Sequence, residues 1–317
     1  MTGRTDRRRT GTGRLGVAVA GAAVLAATVG LAPGPIVGPA AADEHSGPAV
    51  PRPPAGTGAD QTLVFADEFD DGTVDRGKWS TRNREADPNV EGKSRFLAWY
   101  PQAEDEGVSN VSEGGGSLTV RADDHDWYPG QPWGQSYGTG IVQSAPGTDR
   151  TETQPGFQFR YGYVEARIQG PAADARGTDA GLWLYSRSGW PPEIDVVEMP
   201  GSQAAGKVQI NHHWNDGGHR NEWHYAGVRS DQWHTYGLRW EPNLLVWYVD
   251  GTEIYRSSTG VPQDPMFVNL AIEIGGGPGD TFFGDPAAGA WPQRMNVDWI
   301  RLWQDGGAAA RRTADER

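Results

Sequence analysis

Outside residues 15–31, no stretch of this chain holds a helical apolar period for ten residues or more, and that absence constrains the fold more than any other feature. In its place come short β-rich runs at 63–66, 117–122, 139–143, 161–168, 181–185, 193–198, 207–214, 234–240, 244–249, 266–272 and 296–304. Gly, Pro, Asn and Asp separate them, the pattern of an all-β sandwich or barrel. The clearest hairpin is Leu244-Leu245-Val246-Trp247-Tyr248-Val249, then Asp250-Gly251, which favours a tight primed turn before Glu253-Ile254-Tyr255.

The ends of the 317-residue chain read differently. Arg4, Arg7, Arg8, Arg9 and Arg14 precede an Ala/Gly/Val-rich run from Leu15 to Leu31, and Ala40-Ala41-Ala42 offers a small-residue cleavage site. Residues 1–42 therefore read as an export signal, which leaves a secreted, extracellular protein. A membrane anchor is the competing reading of the same run, weakened by its Gly and Ala content. The route of export is open. Residues 43–60 form a Pro/Gly-rich linker, 61–304 a single domain, and 305–317 a disordered tail.

Removing residues 1–42 takes +4 from the formal −13 of the whole chain and leaves −17, which disfavours nucleic acid and anionic lipid as partners. There is no cysteine, so disulfides, thiolate metal sites and thiol nucleophiles are all excluded. Fourteen tryptophans and ten tyrosines serve a sandwich core, sugar-stacking surfaces, or both. The expected state is a monomer.

Chemistry concentrates in Glu193-Ile194-Asp195-Val196-Val197-Glu198. On a strand, Glu193 and Asp195 share one face while Ile194 and Val196 share the other. Strict alternation would turn Glu198 into the core, where an unpaired carboxylate is costly, so a β-bulge at Val196-Val197 is expected to bring it back. Three carboxylates in a row repel one another and raise at least one pKa, which suits acid/base work. A calcium site or a solvated strand face would use the same residues.

Flanking segments favour catalysis. The six-residue run resembles the bulged E-[ILV]-D-x-x-E signature of glycoside hydrolase family 16. Tyr161-Gly162-Tyr163-Val164-Glu165-Ala166-Arg167 is similar to its G-x-x-E-x-R strand, and Gly181-Leu182-Trp183-Leu184 to its A-F-W-L strand. His234-Thr235-Tyr236-Gly237-Leu238-Arg239-Trp240, Tyr248-Val249-Asp250-Gly251, Asn269-Leu270-Ala271 and Val297-Asp298-Trp299-Ile300-Arg301 continue the match, and with Asp67-Glu68-Phe69 it spans residues 63–304.

The resemblance implies a concanavalin-like jelly roll: two curved antiparallel sheets, with a catalytic cleft on the concave one. It makes Glu193 the nucleophile, Asp195 an assisting carboxylate and Glu198 the acid/base of a retaining endo-glycosidase. Gln209, Asn211 and His213 would line the cleft, with Trp183, Trp190 and Trp99 as substrate-binding aromatics. The resemblance also implies a polysaccharide as partner and no cofactor for catalysis. A structural calcium is implied at Glu68 and Asp298.

The substrate implied by the bulged, laminarinase-like branch is a β-1,3-glucan. Departures bear on this: Lys93-Ser94-Arg95-Phe96-Leu97-Ala98-Trp99-Tyr100 lacks the usual polar donors, Trp190-Pro191-Pro192-Glu193 is short, and Gly275-Gly276-Gly277-Pro278-Gly279 lacks a tryptophan. A β-galactan of the agar or carrageenan type is the alternative substrate, for which Arg84, Arg95 and Arg187 are candidate contacts if it is sulfated. Transglycosylation and a non-catalytic carbohydrate-binding jelly roll are the other readings, and a binding module has no use for both Glu193 and Glu198.

Overall fold

A computed structural model of the chain describes residues 61–81, 97–101, 109–124, 136–145, 156–172, 175–201, 208–214, 219–224 and 228–305. The expected signal, the linker and all of the tail but Asp305 lie outside them, as do Arg84 and Arg95. The strands are β1 (Gln61–Asp67), β2 (Ala98–Trp99), β3 (Val111–Gly114), β4 (Ser117–Ala122), β5 (Tyr137–Gly138), β6 (Ile141–Gln143), β7 (Gly162–Gln169) and β8 (Thr178–Ser186). Then come β9 (Glu193–Pro200), β10 (Val208–His213), β11 (His219–His224), β12 (Trp233–Glu241), β13 (Leu244–Val249), β14 (Thr252–Ser257), β15 (Met266–Ile274) and β16 (Gln293–Asp305). One 3-10 turn at Pro286–Ala288 is the whole helical content of the described residues, so none of their helices is long and apolar enough to cross a membrane.

Two antiparallel sheets carry nearly all of these strands. One runs β14-β13-β12-β7-β16-β4-β3, with β1 also on β16; the other runs β11-β10-β9-β8-β15-β6. The 13-residue β16 serves two partners along one edge, Gln293–Val297 against β4 and Ile300–Asp305 against β1. Alternation explains how the sheets meet. Val164, Ala166 and Ile168 of β7 and Leu182, Leu184, Val268, Leu270 and Ile272 of β8 and β15 all enter one buried cluster. The intervening residues of β8 and β15, among them Asp179, Trp183, Asn269 and Glu273, occupy the opposite face of the six-stranded sheet.

The hairpin forms as expected: Val249 pairs with Thr252, and Asp250 and Gly251 both take positive φ, 49° and 72°. Two indoles of the eight-stranded sheet also find carbonyl partners inside the molecule. Trp240 Nε1 donates to Pro262 O at 3.0 Å, and Trp247 Nε1 donates to Asp195 O at 2.9 Å. The second of these reaches the acidic strand.

Candidate active site

β9 lies between β8 and β10, so its side chains are flanked on both sides. Glu193 faces His213 and Tyr185, Asp195 faces Asn211 and Trp183, and Glu198 faces Gln209 and Gly181. Between the last two levels β9 uses one residue more than either neighbour, with register shifts at Gln209/Asn211 and Leu182/Trp183. That is the expected bulge at Val196-Val197. Both valines enter the core, and Glu198 returns to the face of Glu193 and Asp195. The bulged strand also needs room: a Cβ on Gly181 would lie 2.9 Å from Val197 O.

Asp195 is buried at 4% exposure, while Glu193 and Glu198 keep part of their surface open. Gln209 Nε2 donates to Glu198 Oε2 at 2.8 Å. His213 Nε2 stands 3.7 Å from Glu193 Oε1 and 3.9 Å from Asp195 Oδ2, and it makes a 2.9 Å contact with Asn211 Nδ2. Burial, then the charge of Glu193, pushes the Glu198 carboxyl up to about 8, against the opposing hydrogen bond from Gln209. Although Glu198 opens partly to the cleft, its acid group lies deep among other acids and behaves as a desolvated one. Burial, then Glu198 and Glu193, raises Asp195 well above the carboxylate range. Burial and mutual repulsion thus favour a held proton on this face, at Glu198 above all.

Other expected residues divide. Gln209 and Asn211 are buried beside the acids, and Trp183 packs on Tyr100, Ile141 and Ala271 with part of its surface open. Trp190 is 50% exposed, with its ring 5.2 Å from that of His213, so half of its surface stays open beside the acids. Trp99 does not: at 6% exposure its ring is covered, and the expectation that it stacks on a sugar is corrected to a buried wall residue.

The two carboxylates expected to hold calcium are each paired. Arg301 holds Glu68 with two hydrogen bonds of 2.9 and 2.6 Å, and Arg167 holds Asp298 at 2.6 Å. Each carboxylate already faces a guanidinium, which would compete with a shared calcium ion for it. Among the described residues, the one set of three side chains with ligand atoms close enough for a metal is Glu193, Asp195 and His213, all within 4.8 Å.

Sequence reasoning missed two acids on the same face. Asp179 of β8 and Glu273 of β15 are cross-strand partners, and Asp179 Oδ1 accepts from Met199 N at 3.0 Å. Burial, then Glu198 and Glu273, raises the Asp179 carboxyl well above the usual range. Their alternation with apolar neighbours was readable, but their pairing required the register of β8 on β15.

A row of acids, with carboxyls that burial and mutual repulsion push up, on one face of a two-sheet sandwich is the equipment of a glycoside hydrolase. The profile of glycosyl hydrolases family 16 matches residues 113–301. The catalytic domain of an endo-1,3-beta-glucanase (laminarinase) from Thermotoga petrophila RKU-1 superposes with a TM-score of 0.63 and 25% identity, over 78% of this chain and 99% of that one. The non-specific endo-beta-1,3(4)-glucanase SCLam gives 0.62 and 25%, over 80% and 94%. The endo-1,3-1,4-beta-glycanase ExsH of Rhizobium meliloti (strain 1021) is 35% identical over 48% of this chain. Glucan endo-1,3-beta-glucosidase A1 of Niallia circulans is 26% identical over 78%. The chain spans about a third of the length of these last two proteins, 32% and 38%. This chain belongs to glycosyl hydrolases family 16, and its fold is the family's jelly-roll sandwich with the acids on the cleft sheet.

Proposed function

We propose that the chain is a secreted, retaining endo-hydrolase of a β-linked glucan, with β-1,3-glucan as its substrate. The observation that carries the chemistry is the bulged strand, which sets Glu193 and Glu198 on one face, with Glu198 holding its proton up to about 8. In the first step Glu193 attacks the anomeric carbon as that carbon's bond to the leaving oxygen breaks, and the Glu198 proton passes to the leaving oxygen. In the second, Glu198 takes a proton from water, whose oxygen attacks the anomeric carbon and frees the Glu193 carboxylate. Asp195, between the two, is the assisting acid, and Trp190 is the exposed stacking face. Support for the glucan comes from the names of relatives, among them a glucan endo-1,3-beta-glucosidase and an endo-1,3-beta-glucanase (laminarinase), beside an endo-1,3-1,4-beta-glycanase. Support for export comes from residues 1–42.

The test is reducing-sugar release from laminarin, mixed-linkage β-glucan, agarose, κ-carrageenan and xyloglucan, with Glu193→Gln and Glu198→Gln alongside. Laminarin should be cleaved into a ladder of oligosaccharides, and each variant should lose at least roughly a hundredfold in kcat. Hydrolysis of agarose or carrageenan alone would replace the glucan with a galactan. Binding without hydrolysis of any member would replace the enzyme with a binding module.

A further inference from the structure

A β-bulge solves the parity problem of Glu198 by interrupting the ladder, and the interrupted backbone must be held in some other way. The carbonyl just before Val196-Val197, that of Asp195, accepts a hydrogen bond from across the core: Trp247 Nε1 of the other sheet donates to it at 2.9 Å. Trp247 is 1% exposed and touches no open surface of the cleft. Its ring is itself fixed. Tyr255 packs on it at 5.5 Å and His212 at 5.8 Å. His212 in turn contacts Thr259 O through Nε2 at 2.9 Å and stacks on Trp214 at 4.9 Å. The register places His212 opposite Ile194, immediately beside Asp195. The donor therefore belongs to a packed set of rings anchored apart from the strand it bonds.

We propose that Trp247 is a positioning residue of the reaction centre: its indole N–H, reaching from the opposite sheet, clamps the Asp195 carbonyl and so fixes the bulge that sets Glu198 against Glu193 and Asp195. The inference rests on the proposed glycosidase chemistry, because it assigns Trp247 an effect on the relation between these acids. Losing the N–H while keeping the ring would loosen the bulge, alter the spacing of the acids and lower turnover without touching a sugar-binding surface. Trp240 provides a matched control. It is equally buried and its Nε1 donates to a carbonyl at 3.0 Å, but that carbonyl belongs to Pro262, outside the acidic strand.

The experiment compares Trp247→Phe with Trp240→Phe in the full chain, together with benzothienylalanine at each position, which keeps the shape of the indole and removes its N–H. Thermal unfolding, kcat, KM and the pH dependence of kcat are measured on the glucan that wild type cleaves. The carboxyl titrations of isotope-labelled glutamates are followed in parallel and read the row whether or not a substrate has been found. Both changes at 247 should lower kcat roughly tenfold at unchanged KM and move the highest glutamate titration to lower pH. Both changes at 240 should leave kcat and the titration at the wild-type values. If the benzothienylalanine variant at 247 keeps wild-type kcat and titration, the N–H has no such role and the proposal fails, even where Trp247→Phe does not fold. Equal losses at 247 and 240 would overturn it as well. Wild-type inactivity on every glycan would instead overturn the hydrolase reading, while the titrations would still decide whether Trp247 sets the acid row.

Discussion

Gln209 donates to Glu198 and favours its ionised form, while burial and Glu193 favour the protonated one and win, holding the acid up to about 8. Because the proposed first step requires that proton, kcat should fall as pH rises through about 8. Gln209→Leu removes the opposing hydrogen bond, so the alkaline limb should move to higher pH; a limb that stays in place or moves down would assign it to another group. Stability follows the same sign. Unfolded Glu198 loses its proton near its ordinary 4.5 whereas the folded protein keeps it to about 8, so its contribution weakens as pH climbs through that window. Melting curves of Glu198→Gln should therefore lose less stability across the window than wild type. At this scale the three catalytic candidates were legible, since E-x-D-x-x-E states both their identity and their spacing. Asp179 and Glu273 were not, because each sits on its own strand and only register makes them neighbours.

The bulge is the element on which those residues depend, and it was legible as a contradiction: two valines between Asp195 and Glu198 cannot both enter the core of a regular strand while both acids stay out. Its supports were not. Gly181 is one of them, since a methyl group there would meet Val197 O at 2.9 Å, and the atom met is backbone that cannot rotate away. Gly181→Ala should therefore cost about 1–3 kcal/mol in denaturant unfolding, and activity should fall with it because Glu198 stands directly opposite. Gly114, whose Cβ would meet nothing within 4 Å, is the control, and Gly114→Ala should leave activity intact. Equal activity in the two variants would mean that the bulge tolerates displacement. Burial shows the same limit of sequence reading: Trp99 and Trp190 read alike as tryptophans near a cleft, yet one is covered and the other is half exposed.

Across the whole molecule, the face remote from the acids is tied together by arginines. Arg301 on β16 grips Glu68, just beyond β1, while stacking 4.1 Å from Trp299. Arg167 on β7 grips Asp298 and lies 4.9 Å from Trp233. A planar guanidinium between a carboxylate and an indole does in place what a shared cation would do: it neutralises the acid and links segments far apart in the chain, here 233 residues for Arg301 and Glu68. Part of each pair is open to water, so each contributes on the scale of about 1 kcal/mol rather than a buried ion's worth. Two consequences separate this arrangement from a calcium site. Treatment with a chelator should leave the melting temperature and kcat unchanged, and added calcium should not raise either. Arg301→Leu should lower the melting temperature by a few degrees whether or not calcium is present, because it strips the link between β1 and β16 without emptying an ion site. If calcium instead raised the melting temperature of wild type and restored that of Arg301→Leu, the carboxylates of Glu68 and Asp298 would be available to an ion after all, and the arginines would be its competitors.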